Sequence, residues 1–230
     1  MQGLSTTSGS TSIELSAMNE RIAAMAQMGR PRNFDRSEAV ERAMLLFWEH
    51  GYESTSLTRL REGIGGISAA SFYAAFDSKE ALFKEVVDRY VASYGQVTRP
   101  LWNDAMPPRK ALEQALRNSA RMQTDRKHPQ GCLLVVAANT CSPENSHIQA
   151  LLAKERARTR NGMRYCLARA RQCGDLSPAK DVGTLTAVYD TFLFGITTQA
   201  RDRTPLAALE RAVAEVMTLW DDPESAHAET

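Results

Sequence analysis

The stretch GGISAASFYAAFDSKEALF, residues 65–83, concentrates small, hydroxyl and aromatic side chains and carries no charge before Asp77. On a helix that starts near residue 69, Phe72 and Phe76 share a face and are expected to pack inward. The outward-facing set would then be Ala69, Ala70, Ser71 and Tyr73. Small side chains allow close approach to the major groove of DNA, and apolar ones can touch thymine methyl groups. The stretch therefore has the chemistry of a surface that contacts DNA bases.

Two side chains in the same stretch have the chemistry to bind phosphate. The Tyr73 hydroxyl can donate to a phosphate oxygen, and Lys79 lies at the start of a helix, where the backbone amides and the helix dipole also favour a phosphate. Ser68 is a capping residue directly before the uncharged helix. The alternative is that SAASFYAAF is a small-residue helix packed inside a bundle, which is a common role for such a segment. The flanking caps and glycines favour the DNA-contacting interpretation.

The cysteines and histidines show no spacing typical of a metal or disulfide site. The four cysteines are Cys132, Cys141, Cys166 and Cys173, and none forms a C-x-x-C pair. His128 and His147 also stand outside any tight H-x-x-x-H spacing. Free cysteine is among the most buried residue types, so structural roles are favoured and we expect no metal and no cofactor. A redox- or metal-responsive protein that acts through these cysteines stays open as an alternative.

Composition narrows the class of protein further. The 230 residues hold 28 Lys and Arg against 27 Asp and Glu, a net charge of +1 that gives no global sign of nucleic-acid or membrane binding. No apolar run reaches the roughly 18 residues that cross a bilayer, and no signal-peptide pattern opens the chain, so we expect a cytoplasmic protein without a membrane partner. We find no acid/base pair, nucleophile elbow or phosphate loop, so the sequence does not predict an enzyme.

The elements that would position the uncharged stretch are short helices separated by capping residues and glycines. Helical spacing predicts a first helix over 36–50 that Gly51 ends, a second from about residue 57, a third over 69–75 and a fourth from residue 79. Thr55 or Ser56, then Ser68 and Ser78, are the predicted caps. Two short helices across a glycine turn, supported by a preceding helix, form the helix-turn-helix pattern.

The rest of the chain also reads as helical, and nothing alternates as a strand would. Further helices are predicted over 109–126, 131–140, 147–172, 179–201 and 206–220. The helix 153–172 is strongly basic, which could attract an anionic effector or a DNA backbone, although a solvated outer face is the usual meaning of such a run. The sequence therefore predicts an all-α protein.

The amino-terminal pattern resembles the DNA-binding domain of the TetR (tetracycline-repressor-like) family. The matching segments are GRPR at 29–32, AVERAMLLFWEHGYESTSLTRL at 39–60 and GISAASFYAAFDSKEALF at 66–83. The resemblance implies an amino-terminal three-helix helix-turn-helix DNA-binding domain, followed by a larger helical effector-binding and dimerisation domain. We assign residues 1–29 to a disordered extension, 30–90 to the DNA-binding domain, 91–222 to the helical domain and 223–230 to a disordered tail.

The resemblance also implies which residues meet operator DNA. They are Arg30 and Arg32 in a minor-groove arm, Thr55 or Ser56 on phosphate, Ser68, Ala69, Ala70, Ser71 and Tyr73 at the operator, and Lys79 on its backbone. The segment GIGGIS carries one more glycine than the family's usual turn. The extra glycine could rotate the third helix, which leaves the individual base contacts open.

Two apolar stripes near the carboxy terminus predict a dimer interface. One helix-turn-helix reads few base pairs, and two-fold dimers place two recognition helices roughly 34 to 36 Å apart. The predicted interface residues are Leu185, Val188, Phe192, Ile196, Leu209, Val213, Val216 and Trp220. An intramolecular core explains the same stripes, but TetR-like proteins dimerise through their last two long helices, so the resemblance favours a homodimer.

In that family the carboxy-terminal domain also holds an effector pocket. The segment GCLLVVAANTC, residues 131–141, resembles one found in a branch of the family, and the predicted ligand-binding residues are Met122, Cys132, Val135, Tyr165, Tyr189 and Phe192. Core packing is the alternative role for each of them. The function implied is a homodimeric repressor that binds palindromic double-stranded operator DNA and is released by a small-molecule effector. An activator and a dimeric adaptor without DNA binding remain alternatives.

Overall fold

A computed structural model describes residues 34–137 and 141–221 of the chain. The chain divides into two units, residues 1–35 and 36–230, and the account below concerns the second. The predicted amino-terminal extension, the arm residues Arg30 and Arg32 and the predicted tail 223–230 lie outside the described residues.

The described residues form helices and contain no strand, so the prediction of an all-α fold is confirmed. The α-helices are α1 (Arg36–Ser54), α2 (Leu57–Gly63), α3 (Ala69–Phe76), α4 (Lys79–Ala92), α5 (Pro108–Thr124), α6 (Leu133–Val136), α7 (Ser146–Cys173), α8 (Val182–Arg201) and α9 (Leu206–Met217). Two 3-10 helices, Tyr94–Trp102 and Pro143–Asn145, stand between them. Among the described residues, no helix is both long and apolar enough to cross a membrane.

Serine caps fix the starts of the short helices, as the sequence predicted. Ser56, Ser68 and Ser78 precede α2, α3 and α4, and each side chain accepts a hydrogen bond from the backbone N–H three residues further along, at 3.0–3.1 Å. Each cap satisfies one of the amide groups that a helix start leaves without an intrahelical partner.

Two glycines set helix boundaries in this structure. At Gly51 the helical backbone is interrupted, as predicted, because its φ of 79° and ψ of 167° are non-helical, and α1 continues to Ser54 only beyond this kink. Gly131, at φ 87°, cannot belong to a right-handed helix, and among the described residues of the predicted helix 131–140 only the turn α6 is helical. A Cβ at Gly131 would stand 3.0 Å from the Thr197 side chain, so glycine also permits the close approach to α8 there.

The hydrophobic core does not stop at the end of the predicted DNA-binding domain. One buried cluster joins side chains of α1, α3 and α4 to Leu133 and Leu134 of α6 and to Ile148 and Leu152 of α7. A second cluster joins α5, α7, α8 and α9. A displacement of α6 should therefore also displace α1 and α4, since densely packed interiors transmit strain. The domain boundary at residue 90 stays a prediction.

Candidate nucleic-acid interface and effector cavity

The turn between α2 and α3 depends on two glycines with positive φ. Gly65 has φ 127° and Gly66 φ 71°, conformations that side-chain-bearing residues rarely adopt. The Gly66 amide donates to the Arg61 carbonyl at 2.9 Å, and Arg61 Nε donates to the Ile67 carbonyl at 3.1 Å. The arginine therefore closes the turn from both sides, and this closure fixes the direction in which α3 leaves it.

The recognition-helix candidate α3 presents the predicted face. Phe72 is fully buried and Phe76 is 3% exposed, which confirms that both pack inward. The side chains of Ala70, Ser71 and Tyr73 are exposed, and Ala69 is half-buried. Half of the Tyr73 side chain is accessible to solvent, while the edge of its ring stands against Phe72 with centroids 5.6 Å apart. The Tyr73 hydroxyl makes no hydrogen bond within the described residues, so it is free to donate to a phosphate.

The two serines of α3 have different tasks. Ser68 Oγ accepts from the Ser71 amide and also lies 2.9 Å from Ser71 Oγ. Ser68 is therefore committed to capping the helix. Ser71 is exposed on the first turn and is the more available of the two for an outside partner.

Lys79 is held at the amino terminus of α4 by an aromatic ring. Its Nζ lies 4.3 Å from the centroid of the Tyr52 ring, an arrangement that stabilises a cation. Burial lowers the pKa of the Lys79 ammonium, and the nearby Glu53 carboxylate opposes that effect. A lysine in the first turn is unfavourable toward the helix dipole, so its placement there fits a phosphate ligand better than helix stability.

The structure changes the predicted role of Thr55. Its side chain is fully buried, and Oγ1 donates to the Gly51 carbonyl at 2.6 Å. Thr55 thus supports the bend of α1 and has no surface to offer to a phosphate. Ser56 is exposed, and so is Arg59 in the next turn, whose guanidinium has no ion-pair partner among the described residues. Arg59 is a phosphate-contact candidate that the sequence analysis missed, because spacing alone does not tell a free arginine from a paired one.

A cavity of about 60 Å³ lies between α4, α5, α6, α7, α8 and the 3-10 helix at 94–102. Of the predicted ligand-binding residues, Met122, Cys132 and Val135 line it. Tyr165, Tyr189 and Phe192 are not among its lining residues: Tyr165 is exposed and stacks on Trp102, Tyr189 lies in the second core, and Phe192 lines a separate groove. Periodicity marked these three as apolar helix positions but could not show which side of each helix faces the cavity.

Polar side chains that the sequence analysis missed also line the cavity. Gln123 Oε1 accepts from Thr197 Oγ1 at 2.7 Å, and both residues are buried. Asp190 Oδ2 accepts from Arg160 Nε at 2.6 Å. Arg156, on α7, donates to the Leu134 carbonyl at 2.6 Å. These side chains come from three helices, α5, α7 and α8, and the signal available in the sequence was a polar residue on the apolar side of a helix.

Burial keeps the thiols of Cys132, at the cavity, and of Cys141 and Cys166, elsewhere in the protein, protonated and poorly suited to redox chemistry. The Tyr90 hydroxyl donates to Cys132 Sγ at 3.4 Å, and burial raises the pKa of the Cys132 thiol. Burial also raises the pKa of Cys141, and that of Cys166 to about 11. Reactive cysteines instead have depressed pKa values. Within residues 34–137 and 141–221, no group of three or more His, Cys, Asp or Glu side chains could hold a metal ion.

Most of the predicted dimer-interface residues are buried by the chain itself. Leu185, Ile196, Leu209, Val213 and Trp220 are at most 7% exposed and belong to the intramolecular cores. Val188, Phe192 and Val216 are half-buried. Beside them, a groove of about 310 Å³ between α8 and α9 is lined by Phe192, Gly195, Ile196, Gln199, Thr204, Ala208, Leu209 and Ala212. The predicted interface therefore stays a prediction. Of the predicted residues, Val188, Phe192 and Val216 keep the accessible surface that a partner subunit could contact.

Comparison with known proteins supports the helix-turn-helix assignment. The family described as bacterial regulatory proteins, tetR family, matches residues 39–86, from α1 into α4. Over 195 residues the chain is 31% identical to the HTH-type transcriptional repressor ComR of Escherichia coli strain K12, covering 84% of this chain and 92% of ComR. It is 29% identical over 116 residues to the HTH-type transcriptional repressor BdcR of the same organism, covering 50% of this chain and 58% of BdcR.

Solved structures agree with this relationship. A cysteine mutant of the TetR family transcriptional regulator CifR, complexed with 26-base-pair double-strand operator DNA, is 38% identical and superposes with a TM-score of 0.76, covering 83% of this chain and all of that one. The reduced form of Escherichia coli NemR, at 20% identity and a TM-score of 0.64, shares the fold. From the match across α1 to α4 and the relationship to ComR over most of both chains, we conclude that this chain belongs to the TetR family of bacterial regulatory proteins and is a helix-turn-helix transcriptional repressor, not an enzyme.

Proposed function

We propose that this repressor binds a palindromic operator as a homodimer through α3 and is released when a small molecule occupies the cavity between α4 and α8. The observation that carries the proposal is that the cavity and the DNA-contacting helices share one core. Tyr90 lines the cavity, and its ring meets Trp48 of α1 edge-on at 5.0 Å between centroids. Trp48 Nε1 in turn donates to the Gly131 carbonyl at 3.1 Å, directly before the cavity residue Cys132. A ligand in the cavity would therefore contact Tyr90, whose ring packs against Trp48 of α1.

A second connection ties the start of α7 to the DNA-binding helices. Glu53, at the end of α1, accepts from Asn145 Nδ2 at 2.7 Å and from the Ser142 amide at 3.3 Å. His147 Nε2 lies 3.3 Å from Glu80 Oε2 of α4, the residue next to Lys79. Rotation of α7 would therefore move α4, which carries the candidate phosphate contact.

The DNA contact rests on exposed groups of α3 and α4 rather than on overall charge. A relative solved with double-strand operator DNA supports the same partner for this chain. Because few cations are available, we expect strong dependence on the individual phosphate contacts.

The DNA contact is tested with Tyr73→Phe and Lys79→Ala, using a DNA fragment selected by this protein from a random library. Both variants should bind more weakly, and Lys79→Ala should lower the slope of log affinity against log salt by about one unit per lost contact. Lys84→Ala is the matched control, because Lys84 is an exposed lysine of the same helix. Equal binding by all four proteins would refute the role of α3 and α4, and a parent protein that selects no sequence would favour an adaptor without DNA binding.

The dimer is tested at Gly195, an exposed glycine of α8 in the groove. A Cβ there would meet no atom within 4 Å, so the single chain tolerates a side chain at that position. Gly195→Glu should leave the fold intact, yet place a charge in the interface and shift the sedimentation of the protein toward monomer. The control Ala153→Glu lies at an exposed position of α7. Unchanged association of Gly195→Glu would exclude the groove as the interface.

A further inference from the structure

Arg156 is a half-buried cation that faces the cavity without a carboxylate partner. One of its nitrogens, Nη1, donates to the Leu134 carbonyl, and the guanidinium carbon lies 6.0 Å from the centroid of the Phe194 ring. No carboxylate lies within ion-pair distance of Arg156 in the described part of the chain. Burial lowers the pKa of the Arg156 guanidinium, which shows that the charged form is partly removed from water. A charge in such a position gains from a partner of opposite sign.

The one carboxylate in the cavity wall is already used. Asp190 is 8% exposed and accepts from Arg160 Nε at 2.6 Å. Asp190 and Arg160 therefore neutralise each other, and Arg156 leaves the site with one positive charge. A ligand with a single negative charge balances it. A dianion would add repulsion from Asp190, and a cation would add repulsion from Arg156.

Two neutral side chains at the cavity carry a polar atom without a protein partner. Gln123 is 2% exposed, and while its carbonyl oxygen accepts from Thr197, its amide nitrogen has no acceptor within the described residues. Ser119 is 1% exposed, and its hydroxyl makes no hydrogen bond there either. Among the described residues neither atom is a fully enclosed one without a partner, so both keep access to the cavity space and are available to an acceptor that binds there.

We infer that the cavity binds a small monocarboxylate with a compact apolar body, whose carboxylate is received by Arg156 and the Gln123 amide. This inference rests on the proposed function of the cavity and specifies its ligand. The apolar body would meet Met122, Leu193 and Phe194. The cavity has room for about four to six waters, which corresponds to a ligand of roughly six to nine non-hydrogen atoms.

The same contact gives the ligand a route to the DNA-binding helices. A carboxylate that binds at Arg156 Nη1 would compete with the Leu134 carbonyl for that nitrogen, since a charged acceptor is the stronger one. Leu134 belongs to α6 and to the core that α6 shares with α1 and α4. Ligand binding would thus weaken the hydrogen bond that connects Arg156 of α7 to the Leu134 carbonyl of α6.

The inference is tested by calorimetric titration of the full chain with linear monocarboxylates from acetate to octanoate and with benzoate, each against its amide, and with phthalate as a dianion. At least one acid should bind, and its amide and phthalate should each bind about ten- to a hundred-fold more weakly, as expected for loss of a charged hydrogen bond. Arg156→Met should remove the preference for acid over amide. Arg164→Met, at an exposed position of the same helix, should keep it.

Arg156→Lys retains a cation and should keep part of the preference, which distinguishes loss of charge from loss of folding. The inference is overturned if no acid binds, if amides bind as well as acids, or if Arg156→Met retains the preference. Anisotropy measurements with the selected DNA separate the two proposals. An acid that binds as described without changing DNA affinity refutes release but not the ligand class, whereas release by a non-acidic compound alone refutes the ligand class but not release.

Discussion

Replacement of Thr55 by valine should destabilise the protein while leaving its intrinsic affinity for DNA unchanged. Valine keeps the branched shape of threonine and removes only the hydroxyl, which donates to the Gly51 carbonyl at 2.6 Å in a fully buried position. The carbonyl belongs to the residue at which α1 bends, and Gly51 is itself buried. The substitution therefore leaves a buried acceptor without its partner.

The expected cost follows from that geometry. Leaving a buried hydrogen-bonding group unpaired costs about 1–3 kcal/mol of the free energy of unfolding. In a protein of this size each kcal/mol lowers the Tm by about 2–4 °C, so the Tm of Thr55→Val should fall by roughly 2 to 12 °C. Thr55→Ser retains the hydroxyl and should lose much less.

Unfolding of the three proteins by heat and by urea measures the cost, and binding to the selected DNA well below the Tm measures affinity. We expect affinities equal within about two-fold, a difference below about 0.4 kcal/mol. A Thr55→Val protein with parental stability and clearly weaker DNA binding would show that the hydroxyl contacts phosphate, and our assignment of Thr55 to the bend of α1 would fail.

Three further outcomes follow from buried groups. Tyr189→Phe should be neutral or stabilising by up to about 1 kcal/mol in urea unfolding, because the buried Tyr189 hydroxyl has no hydrogen-bond partner among the described residues and burial raises its pKa to about 12. A loss above about 1 kcal/mol would reveal a partner such as water. Alkylation by iodoacetamide near pH 8, followed by mass spectrometry, should modify exposed Cys173 first and leave Cys166 unmodified. The raised pKa of Cys166, about 11, keeps this buried thiol protonated until the pH approaches 11. Early labelling of Cys166 would contradict this order. Trp48→Phe should cost about 1–3 kcal/mol in urea unfolding, because it leaves the Gly131 carbonyl unpaired. The same substitution should reduce the release of DNA by an effector. A destabilised variant that is still fully released would show that Trp48 does not connect the cavity to the DNA-binding helices.

The amino-terminal architecture could be predicted because its signals are local. Serine caps, glycine breaks and the inward spacing of Phe72 and Phe76 depend on residues only a few positions apart, and the structure confirms each of them. Specific combinations of such signals also identified the family. Thr55 shows the limit of local reasoning, because a hydroxyl that caps a helix in sequence can equally turn back to the preceding carbonyl.

The cavity could not be predicted in the same way, because its walls come from segments far apart in the chain. Cys132 was recognised from its own segment, but Gln123 and Arg156 gain meaning only where α5 and α7 meet. The basic run in α7 was interpreted mainly as a solvated face. For Arg156 that interpretation is incomplete, since this residue lines the cavity and has no carboxylate partner among the described residues.

The energetics of release fit a single contact of the kind that Arg156 makes. A ligand shifts a repressor between two states only by the difference of its affinities for them, and a hundred-fold loss of DNA affinity needs about 2.7 kcal/mol. A hydrogen bond to a charged group contributes about 1.5–3 kcal/mol, so loss of the bond from Arg156 to the Leu134 carbonyl when a ligand carboxylate binds would be of the right size. If a ligand releases operator DNA as we propose, reciprocity requires the DNA to weaken ligand binding by the same factor. On the proposed mechanism, the hydrogen bond between Arg156 of α7 and Leu134 of α6 would connect the cavity to α1 and α4, because Leu134 belongs to the core that these helices share.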